Sequence, residues 1–171
     1  MTDKIDELWD LLDEFRFAML TTVDKTMDGG ETDHGAEMRA RPMASHLDRE
    51  KGLIHFMSKR TDDKVEEIHD EDDVCLSYMR PDDQLYISVT GRATVSTDRA
   101  LIERLWDVGA EAWFSGDKKT ADVAVITVHP RHAEYWHNDQ TAVRRAFEFA
   151  KGIVTDVPPE MGDNAKLKLA S

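Results

Sequence analysis

The fold of this chain is indicated most clearly by Gln84–Val95, which reads QLYISVTGRATV. This stretch predicts one long β-strand, with Gly91 at a bulge or bend within it. The turn Pro81-Asp82-Asp83 precedes it and connects it to another predicted strand over Val74–Met79. The centre of the sequence therefore predicts two neighbouring strands that are joined by a short turn.

Further strands are predicted on both sides of this pair. They cover Phe17–Val23, Glu37–Ala44, Leu53–Ser58, Val123–Val128 and Ala133–Trp136, and Lys166–Leu169 alternates like a short edge strand. Because Pro42 cannot donate a ladder hydrogen bond, its strand should lie at a sheet edge or end in a bulge. Six or seven short strands favour a mainly β fold, a small antiparallel barrel with peripheral helices, over βαβ units.

Helices and one long loop are predicted between the strands. Residues 3–15 place Leu8 and Leu12 on one apolar helix face. Further helices are predicted from a Thr61 cap through Ile68, from Asp98 or Thr97 to about Val108, and over Thr141–Lys151. The polar, Gly-containing stretch Asp24–Gly35 is predicted to be a long turn or loop.

Length and composition limit the classes of protein to which the chain can belong. Its 171 residues predict one domain, and 40% hydrophobic with 33% charged residues predicts a folded, soluble protein. No apolar run is as long as a membrane span and the N-terminus lacks a signal-peptide pattern, so a cytoplasmic location is expected. The net charge of −13 disfavours nucleic acid and membrane surfaces as partners.

The sequence lacks the motifs of several common catalytic and metal sites. It has no Gly-rich phosphate fingerprint, no Gly-x-Ser-x-Gly elbow and no His-Glu-x-x-His zinc helix. His129 and His132 are close in sequence, but Pro130 separates them, and no metal site is predicted. The single Cys75 excludes an internal disulfide and, within an apolar strand, is expected to be a buried, unreactive thiol.

Three groups of residues are candidates for a binding site. Arg39 and Arg41 lie two positions apart on a predicted strand, so both guanidinium groups face one side and suit a phosphate or a polarised carbonyl. Ser58–Lys64 follows a strand and opens a helix, where backbone N–H groups favour an anion. Aromatic residues that suit a flat cofactor ring are Trp106, Trp113, Phe114, Tyr135 and Trp136. Each group also has an alternative interpretation. The arginine pair fits a solvated strand face, Ser58–Lys64 fits an ordinary helix cap, and the aromatic residues fit core packing.

These groups belong to a longer series of motifs. In order, the sequence contains Arg39-Ala40-Arg41-Pro42-Met43, a strand-turn-helix over Phe56–Ile68, Tyr86-Ile87-Ser88-Val89-Thr90-Gly91, Trp113-Phe114, Ala133-Glu134-Tyr135-Trp136 and Met161-Gly162-Asp163-Asn164-Ala165-Lys166-Leu167. From about Leu8 to Leu169 the chain resembles the pyridoxamine 5′-phosphate oxidase-like, FMN-binding split-barrel superfamily, in particular its general stress protein 26 branch. The resemblance implies a six-stranded antiparallel split barrel. It also implies a single FMN-binding domain over 1–171, with a helix at 3–15 and an edge strand near 165–169.

The resemblance further implies a homodimer with FMN at the interface. Arg41 and Lys64 would then hold the FMN phosphate and ribityl region, with Arg39 beside them. Met43, Met57 and Ser58 would line the ring and its polar edge, and Tyr86 would offer a side chain to the cofactor. Trp113 and Trp136 would reach the flavin from the partner subunit.

Two departures from the family pattern bear on function. Asp62 stands where many relatives carry a serine two residues before the lysine, and a carboxylate beside a phosphate is unfavourable by ~1 kcal/mol. After Trp136 the chain has Ala142-Val143-Arg144 where true pyridoxamine phosphate oxidases have the Arg-x-His pair that holds the vitamin. We therefore expect no oxidation of pyridoxamine phosphate.

The leading hypothesis is an FMN-binding protein of the general stress type that acts as a flavin-dependent oxidoreductase on a small molecule. In such chemistry the flavin does the redox work, and the protein supplies binding and electrostatics. The alternatives are a non-enzymatic protein that binds, sequesters or senses flavin, and a relative that uses a deazaflavin or haem. His46 and His55 are the nearest titratable candidates, and the sequence identifies no general acid or base.

Overall fold

The computed structural model describes residues 4–25, 36–137 and 163–169. The strands there are β1 (Phe17–Asp24), β2 (Glu37–Asp48), β3 (Leu53–Lys59), β4 (Asp73–Arg80), β5 (Leu85–Ser96), β6 (Val123–His137) and β7 (Asp163–Lys168). The helices are α1 (Lys4–Asp13), α2 (Asp63–Asp70), α3 (Arg99–Leu105) and α4 (Val108–Trp113), with a short 3₁₀ helix at Pro81–Asp83. Within these ranges, no helix has the length and apolar character that crossing a membrane requires.

Six strands form a closed antiparallel barrel. Their order around it is β3-β2-β1-β4-β5-β6, and β6 returns to pair with β3. The seventh strand, β7, pairs with β6 at the edge of the sheet, as the alternating C-terminal stretch predicts. The predicted mainly β class, a six-stranded antiparallel barrel with peripheral helices, is confirmed.

The barrel is split between β2 and β3. These strands pair only over Ser45–Asp48 and Leu53–Phe56. Beyond this ladder β2 continues along β1, while β3 continues along β6. The part of β2 that contains Pro42 pairs with β1 alone among the described strands, which confirms its predicted edge position. The two strands diverge as they reach Met43 and Met57, and a fork opens in the barrel wall.

Two apolar clusters hold this frame together. In the main cluster, Leu8 and Leu12 of α1 are fully buried against the inner face of the barrel. Burying an aliphatic side chain of this size contributes about 1.5–3 kcal/mol to folding. The second cluster packs Ile102 of α3 and Ala110 of α4 with Met57 of β3. It therefore fixes α3 and α4 beside one arm of the fork.

Gly91 lies at the predicted irregularity of β5. The pairing register between β5 and β6 shifts between Thr90 and Gly91, so that Arg131 of β6 is the extra residue. A Cβ atom at Gly91 would lie 2.2 Å from the backbone oxygen of His129, and only glycine permits this approach. Because the bulge accommodates the extra residue, β6 runs unbroken through Pro130. The prediction of two separate strands there is wrong.

The helix boundaries differ from the predicted ones in three places. The first helix, predicted over 3–15, ends at Asp13, so its predicted C-terminal boundary is wrong. The first residue of α2 is Asp63 and its N-cap residue is Asp62, so the prediction that Thr61 caps this helix is wrong. The helix predicted to reach about Val108 ends at Leu105, because Trp106 is extended, and α4 begins separately. The predicted helix at 141–151 and the loop residues 26–35 lie outside the described residues.

Cys75 is half-buried, so the prediction of a buried thiol is wrong. On β4 its side chain alternates with the buried Val74 and Leu76, and its Sγ atom lies 3.6 Å from the Ser88 hydroxyl oxygen. Among the described residues, no cluster of His, Cys, Asp and Glu side chains has the arrangement of a metal site.

Candidate functional site

A cavity of about 420 Å³ opens in the fork between β2 and β3. Its volume lies within the usual range of small-molecule sites. The apolar part of its wall comes from the start of β1, from both arms of the fork and from the region of α4: Phe17, Pro42, Met43, Ala44, Met57, Ala110, Trp113 and Phe114. Since Trp113 is 80% exposed, this wall is open to solvent. Thioether and aromatic side chains of this kind suit a flat, largely apolar group.

Hydrogen-bonding side chains line the cavity where β3 ends and α2 begins. The Lys64 Nζ atom lies 2.6 Å from Asp62 Oδ2 and 3.1 Å from Ser58 Oγ. The Ser58 hydroxyl donates to the same Asp62 oxygen at 2.8 Å. Ser58 is buried, the Lys64 side chain is only 12% exposed, and Lys59 adds a second ammonium group to the lining. This part of the cavity can bind an anion.

Asp62 is ionised at neutral pH. Burial would raise the pKa of its carboxyl, but the hydrogen bonds from Lys64 and Ser58 outweigh burial and hold this pKa below its ordinary value. The charge of Lys64 is therefore already balanced by an acid of the chain itself.

His46 and Asp107 line the part of the cavity nearer to the paired end of the fork. Asp107 is the N-cap residue of α4, and its Oδ1 atom accepts a hydrogen bond from the backbone N–H of Ala110 at 2.7 Å. Burial lowers the pKa of His46; the charge of Asp107 opposes this shift and that of Arg16 adds to it. The His46 imidazole is therefore neutral at pH 7.

Arg39 and Arg41 bind a buried acid of α2 and do not line the cavity. The Nη2 atom of Arg41 lies 2.9 and 3.1 Å from the two carboxylate oxygens of Glu67, and its Nη1 atom donates to Thr22 at 2.6 Å. The Nη1 atom of Arg39 lies 3.0 Å from Glu67 and 3.2 Å from Asp24. Thr22, Asp24 and Glu67 are buried. We call these five residues the Glu67 cluster; it ties α2 to β1 and β2.

Tyr86 and Trp136 lie on the outer face of the barrel, outside the cavity lining. They are direct cross-strand neighbours on β5 and β6, and Met79 of β4 pairs with Tyr86 on its other side. All three side chains are substantially exposed, at 56% for Met79, 41% for Tyr86 and 40% for Trp136. We call them the outer apolar row.

The structure gathers part of the predicted site. Met43, Met57, Ser58, Lys64 and Trp113 line one cavity, whereas Arg39 and Arg41 lie in the Glu67 cluster and Tyr86 and Trp136 in the outer apolar row. Sequence reasoning does not find Glu67, because the apolar pattern of α2 turns Val65 and Ile68 inward and gives no signal for a buried acid. The one feature of the sequence that points to a buried acid is the arginine pair, since two guanidinium groups on one strand face need a counter-charge.

Comparison with known proteins gives concordant matches. The family model described as pyridoxamine 5′-phosphate oxidase like matches residues 3–160. A general stress protein 26 structure from Jannaschia sp. CCS1 superposes with a TM-score of 0.71 at 27% identity, covering 99% of this chain and 100% of that chain. The general stress FMN/FAD binding protein from Xanthomonas citri has a TM-score of 0.64 at 25% identity, covering 79% of this chain and 89% of that chain. Protein bli-3 from Neurospora crassa is 23% identical over 167 residues, which are 92% of this chain and 76% of that protein.

The family match includes every strand of the barrel. It begins before α1 and extends beyond β6, so both arms of the fork and the residues that line its cavity fall within it. The resemblance seen in the sequence motifs is thereby confirmed. The chain therefore belongs to the pyridoxamine 5′-phosphate oxidase-like family.

Proposed function

We propose that the chain binds a flavin, specifically FMN, in the fork cavity and acts as a flavin-dependent oxidoreductase on a small molecule. One observation carries the proposal: a single cavity joins an apolar slot between Met43 and Met57 to an ammonium and hydroxyl pair, Lys64 and Ser58. Family membership supports it, as does the similarity to the Xanthomonas citri protein, which is described as binding FMN or FAD.

The cavity matches the two chemically different ends of FMN. Methionine sulfur and aromatic rings attract each other by about 0.3–1.5 kcal/mol, so Met43, Met57 and Phe114 favour the flat ring. The Lys64 ammonium and the Ser58 hydroxyl favour the phosphate, because hydrogen bonds with ionised groups are the stronger ones. A dianion approaches a chain of net charge −13 only where local cations offset the field, and the cavity lining holds three, Arg16, Lys59 and Lys64, against the carboxylates of Asp62 and Asp107.

The arginine pair is not needed for this proposal. Arg41 is engaged by Glu67 and Thr22, and Arg39 by Glu67 and Asp24, so both guanidinium groups already have partners away from the cavity. Their expected role as phosphate ligands stays a prediction. In the structure they position α2, the helix that carries Lys64.

A bound flavin supplies hydride and single-electron transfer, and the protein supplies binding, orientation and electrostatics. In the proposed site the two methionines and Phe114 would hold the ring and exclude water from it, and Lys64 and Ser58 would hold the phosphate end. His46, neutral at pH 7, lines the cavity and is able to accept a proton there.

We further propose that the protein is a homodimer. Phe17 is 54% exposed and Trp113 is 80% exposed, both beside the cavity, and the outer apolar row adds Met79, Tyr86 and Trp136. Exposed apolar area of this extent favours a protein partner, and a second copy would cover it. Light scattering at micromolar concentration should give twice the chain mass of 19.5 kDa. A monomer would contradict an interfacial flavin site.

Titration of the protein with FMN and with riboflavin, followed by flavin fluorescence, tests the site. Replacing Lys64 with Ala should weaken FMN about ten- to a hundredfold, because a hydrogen bond to a charged group contributes about 1.5–3 kcal/mol. Riboflavin lacks the phosphate, so its affinity for the protein should decrease much less. Lys118→Ala is the matched control, since Lys118 is exposed and lies outside the cavity lining. Equal losses for both flavins, or no loss for FMN, would contradict this site.

A second experiment separates an enzyme from a binding protein. The FMN-loaded protein is mixed with NADH or NADPH in the absence of oxygen, and the flavin absorbance is followed. Reduction of the flavin by the nucleotide, followed by reoxidation with an electron acceptor, supports the oxidoreductase. A flavin that binds and stays oxidised supports the sequestering or sensing alternative, and a deazaflavin or haem spectrum of the purified protein contradicts FMN.

A further inference from the structure

Asp62 occupies a helix N-cap position without capping the helix. Its backbone is extended, with φ −73° and ψ 140°, and its side chain accepts no capping hydrogen bond from a backbone N–H in the first turn of α2. Two further acidic N-cap residues in the described part of the chain, Asp98 and Asp107, do cap their helices, with hydrogen bonds of 2.9 Å from the Ala100 N–H and 2.7 Å from the Ala110 N–H. A cap of this kind contributes about 0.5–2 kcal/mol, so Asp62 leaves a favourable interaction unmade.

The carboxylate of Asp62 turns toward the cavity instead. Its Oδ2 atom accepts hydrogen bonds from Lys64 Nζ at 2.6 Å and from Ser58 Oγ at 2.8 Å, and these two donors are themselves 3.1 Å apart. All three residues line the cavity. The carboxylate thus has the position and the donors that an anionic group of a ligand would take.

We propose that Asp62 is a resident anion of this site, which occupies the Lys64 and Ser58 donors and which an anionic group of the ligand must displace in order to bind. The inference rests on the proposed function only in naming the ligand as FMN. Asp62 is then a specificity-determining residue, because it opposes the phosphate and leaves the flat ring unaffected.

The displaced carboxylate has a second position available. The first-turn N–H groups of a helix lack partners within that helix, and an N-cap carboxylate normally accepts from one of them. Asp98 and Asp107 show this arrangement in the same chain. The Asp62 carboxylate can therefore move from Lys64 to a backbone N–H at the N-terminus of α2, so that it makes room for a phosphate and remains hydrogen-bonded.

Asp62→Asn tests the proposal, with Asp63→Asn as the matched control. Asn caps helices as well as Asp does, so α2 should be preserved. Asp63 is the next residue, its side chain is 77% exposed, and its replacement removes the same charge without touching the Lys64 and Ser58 pair. We expect Asp62→Asn to tighten FMN by about tenfold, the effect of one charged hydrogen bond. Riboflavin should change by less than about twofold, and Asp63→Asn should change neither flavin by more than this.

The outcomes separate this inference from the proposed function. Tighter FMN with unchanged riboflavin in Asp62→Asn alone supports a resident anion. An unchanged FMN affinity, an equal change for both flavins, or the same gain in Asp63→Asn overturns it. If neither flavin binds any of the proteins, the proposed function is wrong. The inference about Asp62 is then tested by the effect of inorganic phosphate on the melting temperature. Phosphate should then raise the melting temperature of Asp62→Asn at lower concentration than that of the wild type, and equal responses would overturn the inference.

Discussion

Replacing Glu67 with Gln should destabilise the protein more than any other single change of charge in α2. Glu67 is 3% exposed at its side chain and accepts hydrogen bonds from both guanidinium groups of the Glu67 cluster and from Thr22. Glutamine keeps one acceptor oxygen and the shape of the side chain, but it leaves Arg41 without its counter-charge. Because Arg41 is only 19% exposed, its charge would be poorly compensated by water.

The magnitude follows from the burial of the partners. Removing one member of a fully buried ion pair costs about 3–5 kcal/mol. Arg39 is 41% exposed and can recover part of its hydration, so we expect a loss of about 2–4 kcal/mol in the free energy of unfolding. For a chain of this size the melting temperature should fall by about 5–15 °C.

Urea unfolding followed by circular dichroism measures this loss. Glu66→Gln is the control, since Glu66 is exposed on the same helix and its replacement should stay within about 0.5 kcal/mol of the wild type. Arg41→Gln should also cost less in the Glu67→Gln background than in the wild type, because the two side chains share one interaction. A Glu67→Gln protein as stable as Glu66→Gln would contradict a stabilising role for the Glu67 cluster.

Three further outcomes are expected. Burial lowers the pKa of His55, with Arg104 adding to the shift and Asp48 opposing it, so the folded state resists protonation of this side chain. The free energy of unfolding should therefore have its full value above about pH 6.5 and decrease below it. Urea unfolding at pH 7.5 and 5.5 should show this decrease, and a smaller one in His55→Gln. Gly91→Ala should cost about 1–3 kcal/mol because its Cβ atom would meet the backbone of His129, and a melting temperature equal to that of the wild type would count against the bulge. The FMN-loaded protein should not oxidise pyridoxamine phosphate in a hydrogen peroxide assay, and robust turnover would contradict the significance given to the missing Arg-x-His pair.

The strands could be predicted because their signals are local. The strand pattern of Gln84–Val95 and the turn before it lie in one short stretch, so the sequence predicts this strand and its pairing with the strand before the turn. The closure of the ring could not be predicted in the same way, since it depends on pairs that are distant in sequence, such as Ile54 with Val128. The family resemblance, rather than periodicity, anticipated the split barrel.

The site could be predicted only where one segment contains several of its residues. Met57, Ser58 and Lys64 come from a single strand-turn-helix segment, so their proximity follows from the sequence. The direction of the Arg41 side chain could not be predicted, because it depends on Glu67, a residue of another element that has no distinctive pattern. Likewise, the order of residues predicts that Asp62 lies near the N-terminus of α2. It does not predict that the Asp62 carboxylate turns to Lys64 instead of capping the helix.

Native mass spectrometry of the purified protein shows directly whether the fork cavity holds a flavin. The wild type after incubation with FMN should appear as a dimer of the 19.5 kDa chain with one FMN bound per chain. Lys64→Ala under the same conditions should lose most of this FMN, while Lys118→Ala keeps it. A wild type that retains no flavin, or a Lys64→Ala protein that retains as much FMN as Lys118→Ala, would contradict the account.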